Sequence, residues 1–152
     1  MIYCIDTSSL ISAWNERYHL PNFPPFWLHI ENLINQNRLF SPDEVRREIT
    51  KKSDGLYSWL NDHKDMFIDL EIDIQTEARN ILHEFPYLTK QIAGRNSADP
   101  FVIALAKSRN YVVVTEEGLG SENKPRIPLV CNHYGIQCIN ILRMVQNEDW
   151  VI

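Results

Sequence analysis

Glycine is scarce in this chain of 152 residues, at five, and cysteine scarcer, at three. Nowhere does a run of eighteen or more apolar residues occur, which removes a membrane-spanning helix from the candidates. The N-terminal stretch MIYCIDTSSL carries a charge at Asp6, so it lacks the apolar centre of a secretory signal. A cytoplasmic location is the expectation. Cys4, Cys131 and Cys138 are odd in number and stand at no metal-ligand spacing, so all three are read as reduced and structural. The histidines (His19, His29, His63, His83, His133) are scattered without a ligand-spaced pair, which argues against zinc. There is no G-x-x-x-x-G-K for a phosphate-binding loop and no G-x-S-x-G around Ser8 and Ser9. Excess basic charge is missing too: the net charge is −5, which argues against broad electrostatic adhesion to nucleic acid but leaves room for a local basic patch.

Apolar periodicity is what the chain does have, with no repeat, low-complexity tract or linker, so residues 1–152 read as one domain. Residues 2–5 form a short apolar strand that runs into Asp6-Thr7-Ser8-Ser9, an N-cap-rich opening for a helix carrying Leu10, Ile11 and Trp14. After a proline-rich break at 20–25, a helix over 26–37 is predicted with Trp27, Ile30, Leu33 and Ile34 on one face. Ser41-Pro42-Asp43-Glu44 has the form of a capping box, with Ser41 at the N-cap and Glu44 at the third helical position, for a helix running to about residue 52. A short helix over 54–64, a strand over 66–70 and a helix over 74–85 follow. Ser97-Ala98-Asp99-Pro100 opens the strongly apolar helix FVIALA, and Tyr111 to Thr115 reads as a central buried strand. A loop bearing glycine and proline then leads to a strand over 136–139. Strands alternating with helices indicate an α/β fold with a mostly parallel sheet covered on both faces.

In such sheets, sites form at the carboxyl ends of strands near a switch in strand order. Asp6 ends the first strand, and Glu116 and Glu117 end the strand of Val112, Val113 and Val114. Glu48 and Asp99 lie near the starts of helices whose N-terminal ends could face the same rim. Clustered carboxylates raise one another's pKa, and a hard divalent cation such as Mg²⁺ relieves the repulsion while keeping waters for phosphate substrates. Each residue also has a plainer role open to it. Asp6 and Asp99 could cap helices, Glu48 could lie on a solvated face, and either Glu116 or Glu117 could open a turn. Glu44 is accounted for by the capping box. Arg46, Arg47, Lys51 and Lys52 flank Glu48, and Lys90 and Arg95 precede Asp99, as phosphate contacts or as ion pairs on a solvated face.

These residues, in this order, resemble the PIN-domain superfamily. The motifs are DTSSL, VRREI, SADPFVIALA and VVVTEE, and the similarity extends over nearly the whole chain. It is closest to a bacterial PIN-like branch with a tryptophan-bearing second helix and a late I-P-x-V-C segment, here Ile127 to Cys131. The resemblance implies a three-layer α/β/α sandwich and metal-dependent RNA cleavage, with Asp6, Glu48, Asp99 and Glu117 as catalytic residues binding Mg²⁺ or Mn²⁺. Ser8, Thr115 and Glu116 stand beside them as accessory groups, and Arg46, Lys51, Lys52 and Arg95 as RNA phosphate contacts. It further implies a VapC-like toxin held inactive by a cognate antitoxin, with a homodimer as a further assembly. Two features depart from the usual pattern: Glu117 stands where most PIN domains have Asp, and Pro100 follows Asp99. Two other readings compete: a phosphatase-like hydrolase with Asp6 as nucleophile, which lacks a general acid two residues on, and a non-catalytic binding module on the same fold.

Overall fold

The computed structural model describes residues 1–88 and 97–152. Their strands are β1 (Tyr3–Ile5), β2 (Leu39–Pro42), β3 (Phe67–Ile68), β4 (Val112–Val114) and β5 (Cys138–Ile139). They form one parallel sheet in the order β3-β2-β1-β4-β5. Tyr3 stands in register with Leu39 on one side and Val112 on the other. Successive strand residues point to opposite faces, yet every residue of β1 and of β4 is buried. Both faces are therefore covered, as the three-layer α/β/α expectation requires. Chain order reverses direction between β1 and β4, which puts a switch point at the centre of the sheet.

The helices are α1 (Thr7–Ser12), α2 (Pro24–Asn35), α3 (Asp43–Thr50), α4 (Asp54–Asn61), α5 (Ile72–Glu84), α6 (Asp99–Arg109), α7 (Ile127–Tyr134) and α8 (Ile141–Asn147). A π-helical turn, Ala13–Arg17, extends α1. Helix α6 is apolar nearly all round, with Val102, Ile103, Ala104, Leu105 and Ala106 buried. It packs on β1, β2 and β4 and is itself covered by α5 and α7, which explains why no amphipathic stripe is visible in FVIALA. Asn110 ends it in the left-handed conformation, a position that asparagine tolerates better than most residues. On α2 the expected face of Trp27, Ile30, Leu33 and Ile34 is buried. Among the described residues no helix is long and apolar enough to cross a membrane.

Two expectations fail. Ser41 does not cap α3: Ser41 and Pro42 belong to β2, and the Ser41 hydroxyl donates to the Ile5 carbonyl oxygen of the neighbouring strand at 2.7 Å. The Pro42 N-cap has no side-chain bond, so Glu44 closes no capping box. Two helices, α7 and α8, stand where the sequence reads as loop and unassigned tail.

If α6 is the centre of the core, Leu105→Ala lowers stability in urea unfolding by about 2–5 kcal/mol, by lost burial and a residual cavity. Ile72→Ala, at a side chain 81% exposed on α5, changes it by less than about 0.5 kcal/mol.

Candidate active site

Asp6 follows β1 directly and is 1% exposed. Its Oδ1 accepts from the Ser9 backbone N–H at 2.8 Å, so it does cap α1. Capping does not exclude a ligand role: the carboxylate has two oxygens, and capping uses one. Oδ2 accepts from the Ser8 hydroxyl at 2.7 Å and the Thr115 hydroxyl at 2.5 Å. Those hydroxyls in turn accept from the backbone N–H groups of Glu116 (3.2 Å) and Glu117 (3.1 Å). Ser8 and Thr115 thus bind the end of β1 to the segment leaving β4.

That segment carries two adjacent glutamates with different partners. Glu116 Oε1 accepts from the Ile141 N–H at 2.8 Å, at the first residue of α8, and Oε2 lies 3.7 Å from the Arg17 guanidinium. Glu117 Oε2 accepts from the Ile127 N–H at 3.2 Å, at the first residue of α7, and lies 3.9 Å from the Arg126 guanidinium. Glu117 lines the central cavity; Glu116 is not among its lining residues.

The cavity holds about 380 Å³, and its wall includes Thr7, Ser8, Glu48, Asp99, Glu117 and Arg126. Glu48 comes from the second turn of α3, and its Oε2 accepts from the Thr7 hydroxyl at 2.7 Å. Asp99 opens α6 behind an Ala98 N-cap that makes no side-chain capping bond, and its N–H donates to Ser97 Oγ at 3.2 Å. The structure therefore brings Glu48, Asp99 and Glu117 into one wall, with Asp6 buried beneath it.

Electrostatics reports how close they are. Burial first, then the charges of Glu117, Asp6 and Glu48, push the Asp99 carboxyl up to about 8. Burial also raises Asp6, to about 6, against the lowering effect of its three hydrogen-bond donors. Beside the cations Lys52 and Arg126, the side chains of the cavity wall that can ligate a metal are carboxylates and hydroxyls, a set that suits a hard divalent cation. Among the described residues no three His, Cys, Asp or Glu side chains already form an ion cage. Mg²⁺ does not require one, since it binds through one or two carboxylates and keeps several waters.

The basic residues divide. The Arg46 guanidinium is taken up by Asp43 at 2.7 Å and by the Tyr57 hydroxyl. Lys52 lines the acidic cavity, and Lys51 the neighbouring one. Arg95 lies outside the described residues, as does Lys90. Arg126 and Thr7 are the site residues that sequence reasoning missed. Thr7 reads as one more N-cap candidate, and nothing local to Arg126 announces Glu117 as its partner.

In chelator, the two raised carboxyls make stability fall with rising pH. Each holds its proton more tightly folded than unfolded, where the pKa is about 4, so the folded state loses ground as pH climbs from there through 6 and 8. The thermal midpoint in EDTA should drop by about 5 °C or more between pH 5 and pH 8.5. In Asp99→Asn the slope should flatten; an equal slope in both proteins would mean that Asp99 is not the group responsible.

Comparison with known proteins agrees with this architecture. Over residues 3–152 the sequence matches the family described as "Domain of unknown function (DUF4411)". No curated protein matches the sequence. The fold is similar to a chain in the crystal structure of VapBC2 from Rickettsia felis bound to a DNA fragment from their promoter, with a TM-score of 0.56 and 16% identity. It is similar as well to one in the crystal structure of DNA-bound VapBC from Salmonella typhimurium, with a TM-score of 0.58 and 18% identity. Each alignment covers 92% of this chain and 98% of the other. The chain accordingly belongs to the DUF4411 family and is built on the PIN-like fold.

Proposed function

We propose that the protein is a ribonuclease dependent on Mg²⁺ or Mn²⁺, with Asp6, Glu48, Asp99 and Glu117 as its catalytic carboxylates. One observation carries most of the weight: carboxylates from four separate segments meet at the switch point, close enough that their charges help push Asp99 up to about 8. Such crowding destabilises a fold that has no cation to place there. A bound divalent ion supplies charge neutralisation at the phosphate and a more acidic water as nucleophile. The chain itself supplies rigidity and positive charge around that point. Thr7 fixes Glu48, and three donors fix Asp6, so neither carboxylate has to be ordered when substrate arrives. Arg126 and Lys52, on the cavity wall, are placed to meet phosphate oxygens, a local basic contact inside a chain of net charge −5.

The VapBC structures of similar fold, with the resemblance to VapC toxins, favour a cytoplasmic toxin that a cognate antitoxin restrains, with self-association into a homodimer as a further assembly. A phosphatase-like role for Asp6 fares worse, because its carboxylate is buried, accepts three hydrogen bonds and has Ser8 where a general acid is needed.

Single-stranded RNA should be cut in Mg²⁺ or Mn²⁺ and left intact in EDTA. Glu48→Gln and Asp99→Asn should each lower the rate by roughly two orders of magnitude or more. The metal should raise the wild-type thermal midpoint by about 5–10 °C at a hundredfold excess over its dissociation constant, and much less in either variant. Asp6→Asn should also lose activity, but with a lower midpoint, since its amide sets N–H groups against the hydroxyl donors of Ser8 and Thr115. Full activity in EDTA would overturn the metal dependence, and absence of cleavage with a metal response equal in wild type and variants would leave a non-catalytic binding module.

A further inference from the structure

A second cavity, of about 480 Å³, opens between α3, α5 and α6. It adjoins the acidic one, because Glu48 and Ser97 line both. Its volume falls in the range of about 300–1,000 Å³ usual for small-ligand sites. The remaining wall is of mixed chemistry: Phe101 and Leu82 are apolar, Arg47 and Lys51 are cationic, and Glu44 is the acceptor.

Glu44 leaves part of its acceptor capacity unused in α3: its carboxylate accepts from its own backbone N–H, while Oε2 is buried with no hydrogen-bond partner among the described residues. Burial raises its pKa, the mark of a carboxylate kept from water without full compensation. An unmade bond at a buried polar atom is destabilising and calls for a reason. The last torsion of a glutamate side chain is soft, so the carboxylate turns toward the cavity at little cost once a donor is there.

We propose that this cavity is a nucleobase subsite that selects guanine in the nucleotide next to the scissile phosphate, an inference that rests on the ribonuclease reading. Single-stranded RNA is read by stacking its bases on aromatic side chains and bonding their Watson–Crick edges. Phe101 provides the stacking surface. The two oxygens of Glu44 match two adjacent donors, and guanine alone presents them, at N1–H and the N2 amino group. Adenine and cytosine set a donor beside an acceptor, and uracil has a single donor between two acceptors. Lys51, and Arg47 beside its 3.1 Å ion pair with Asp43, would then meet the phosphates of the same strand. Their charge also weighs against the other occupant Glu44 could attract, an arginine side chain from a protein partner, which they would repel.

The test is calorimetric titration of the wild-type protein in Mg²⁺ with the four nucleoside 5′-monophosphates, whose shared phosphate makes any metal contribution cancel. GMP should bind at least tenfold more tightly than AMP, CMP or UMP. Glu44→Gln, whose amide offers one acceptor and one donor, should erase that preference or transfer it to AMP. Phe101→Leu should weaken all four by roughly tenfold, and it decides the matter together with the wild-type ranking if Glu44→Gln fails to fold. Mapping of cut sites in random single-stranded RNA should show guanine enriched beside the cleaved bond. Equal affinity for the four nucleotides, or an unchanged ranking in Glu44→Gln, overturns the subsite even if RNA is cut. So does binding of N-acetyl-arginine amide without GMP. A protein that cuts no RNA removes the nuclease reading instead, while guanine-selective binding that depends on Glu44 would still support the subsite.

Discussion

Three donors converge on the carboxylate of Asp6, and the site is organised around that convergence. Ser9 N–H binds one oxygen, and the Ser8 and Thr115 hydroxyls bind the other. The first bond starts α1. The other two reach across to the chain leaving β4, where the same hydroxyls accept from the next two backbone amides. Removing the carboxylate would leave several buried groups unmatched at once, which is why its effect on stability differs from that of its acidic neighbours. Charge repulsion acts on all four carboxylates, but only Asp6 is held by enough donors to be structurally indispensable.

The remaining carboxylates show a division between holding and being held. Glu48 is steadied by a single hydroxyl, and Asp99 sits at a helix start whose backbone donor is already occupied by Ser97. Their charges are therefore poorly compensated, and the burden falls on Asp99, the most perturbed acid of the group. A positive helix end beside it offsets part of that cost without removing it. Local stability is given up at this rim, and the apolar mass of α6 directly behind it supplies the rigidity that tolerates the loss.

Much of this was legible in the residues. The buried strands around Tyr3 and Val113, the apolar helix behind Asp99 and the meeting of acids at one rim all follow from pattern, because a parallel sheet writes itself as uninterrupted apolar runs. Ser41 misled because serine before proline and two acids has the same spelling whether it caps a helix or ends a strand. Its hydroxyl turned out to satisfy the carbonyl of Ile5, a partner 36 residues away that no local rule can see. Thr7 and Arg126 escaped for the same reason: their importance lies in Glu48 and Glu117, brought near only by folding. Helix α7 opens on Arg126 without a side-chain cap, and α7 and α8 each start on an amide bonded by a glutamate of the segment that follows β4.

That last arrangement has a mechanical consequence. Glu117 is at once a member of the acidic wall and the acceptor for the first amide of α7. One carboxylate thus belongs to two structures, and whatever draws on it in the cavity bears on the start of α7. Coupling of this kind is reciprocal: a partner gripping α7 from outside would retune the cavity by the same free energy with which the cavity's occupant retunes α7. The start of α7 and the acidic wall are in this sense a single lever, with Glu117 as its pivot.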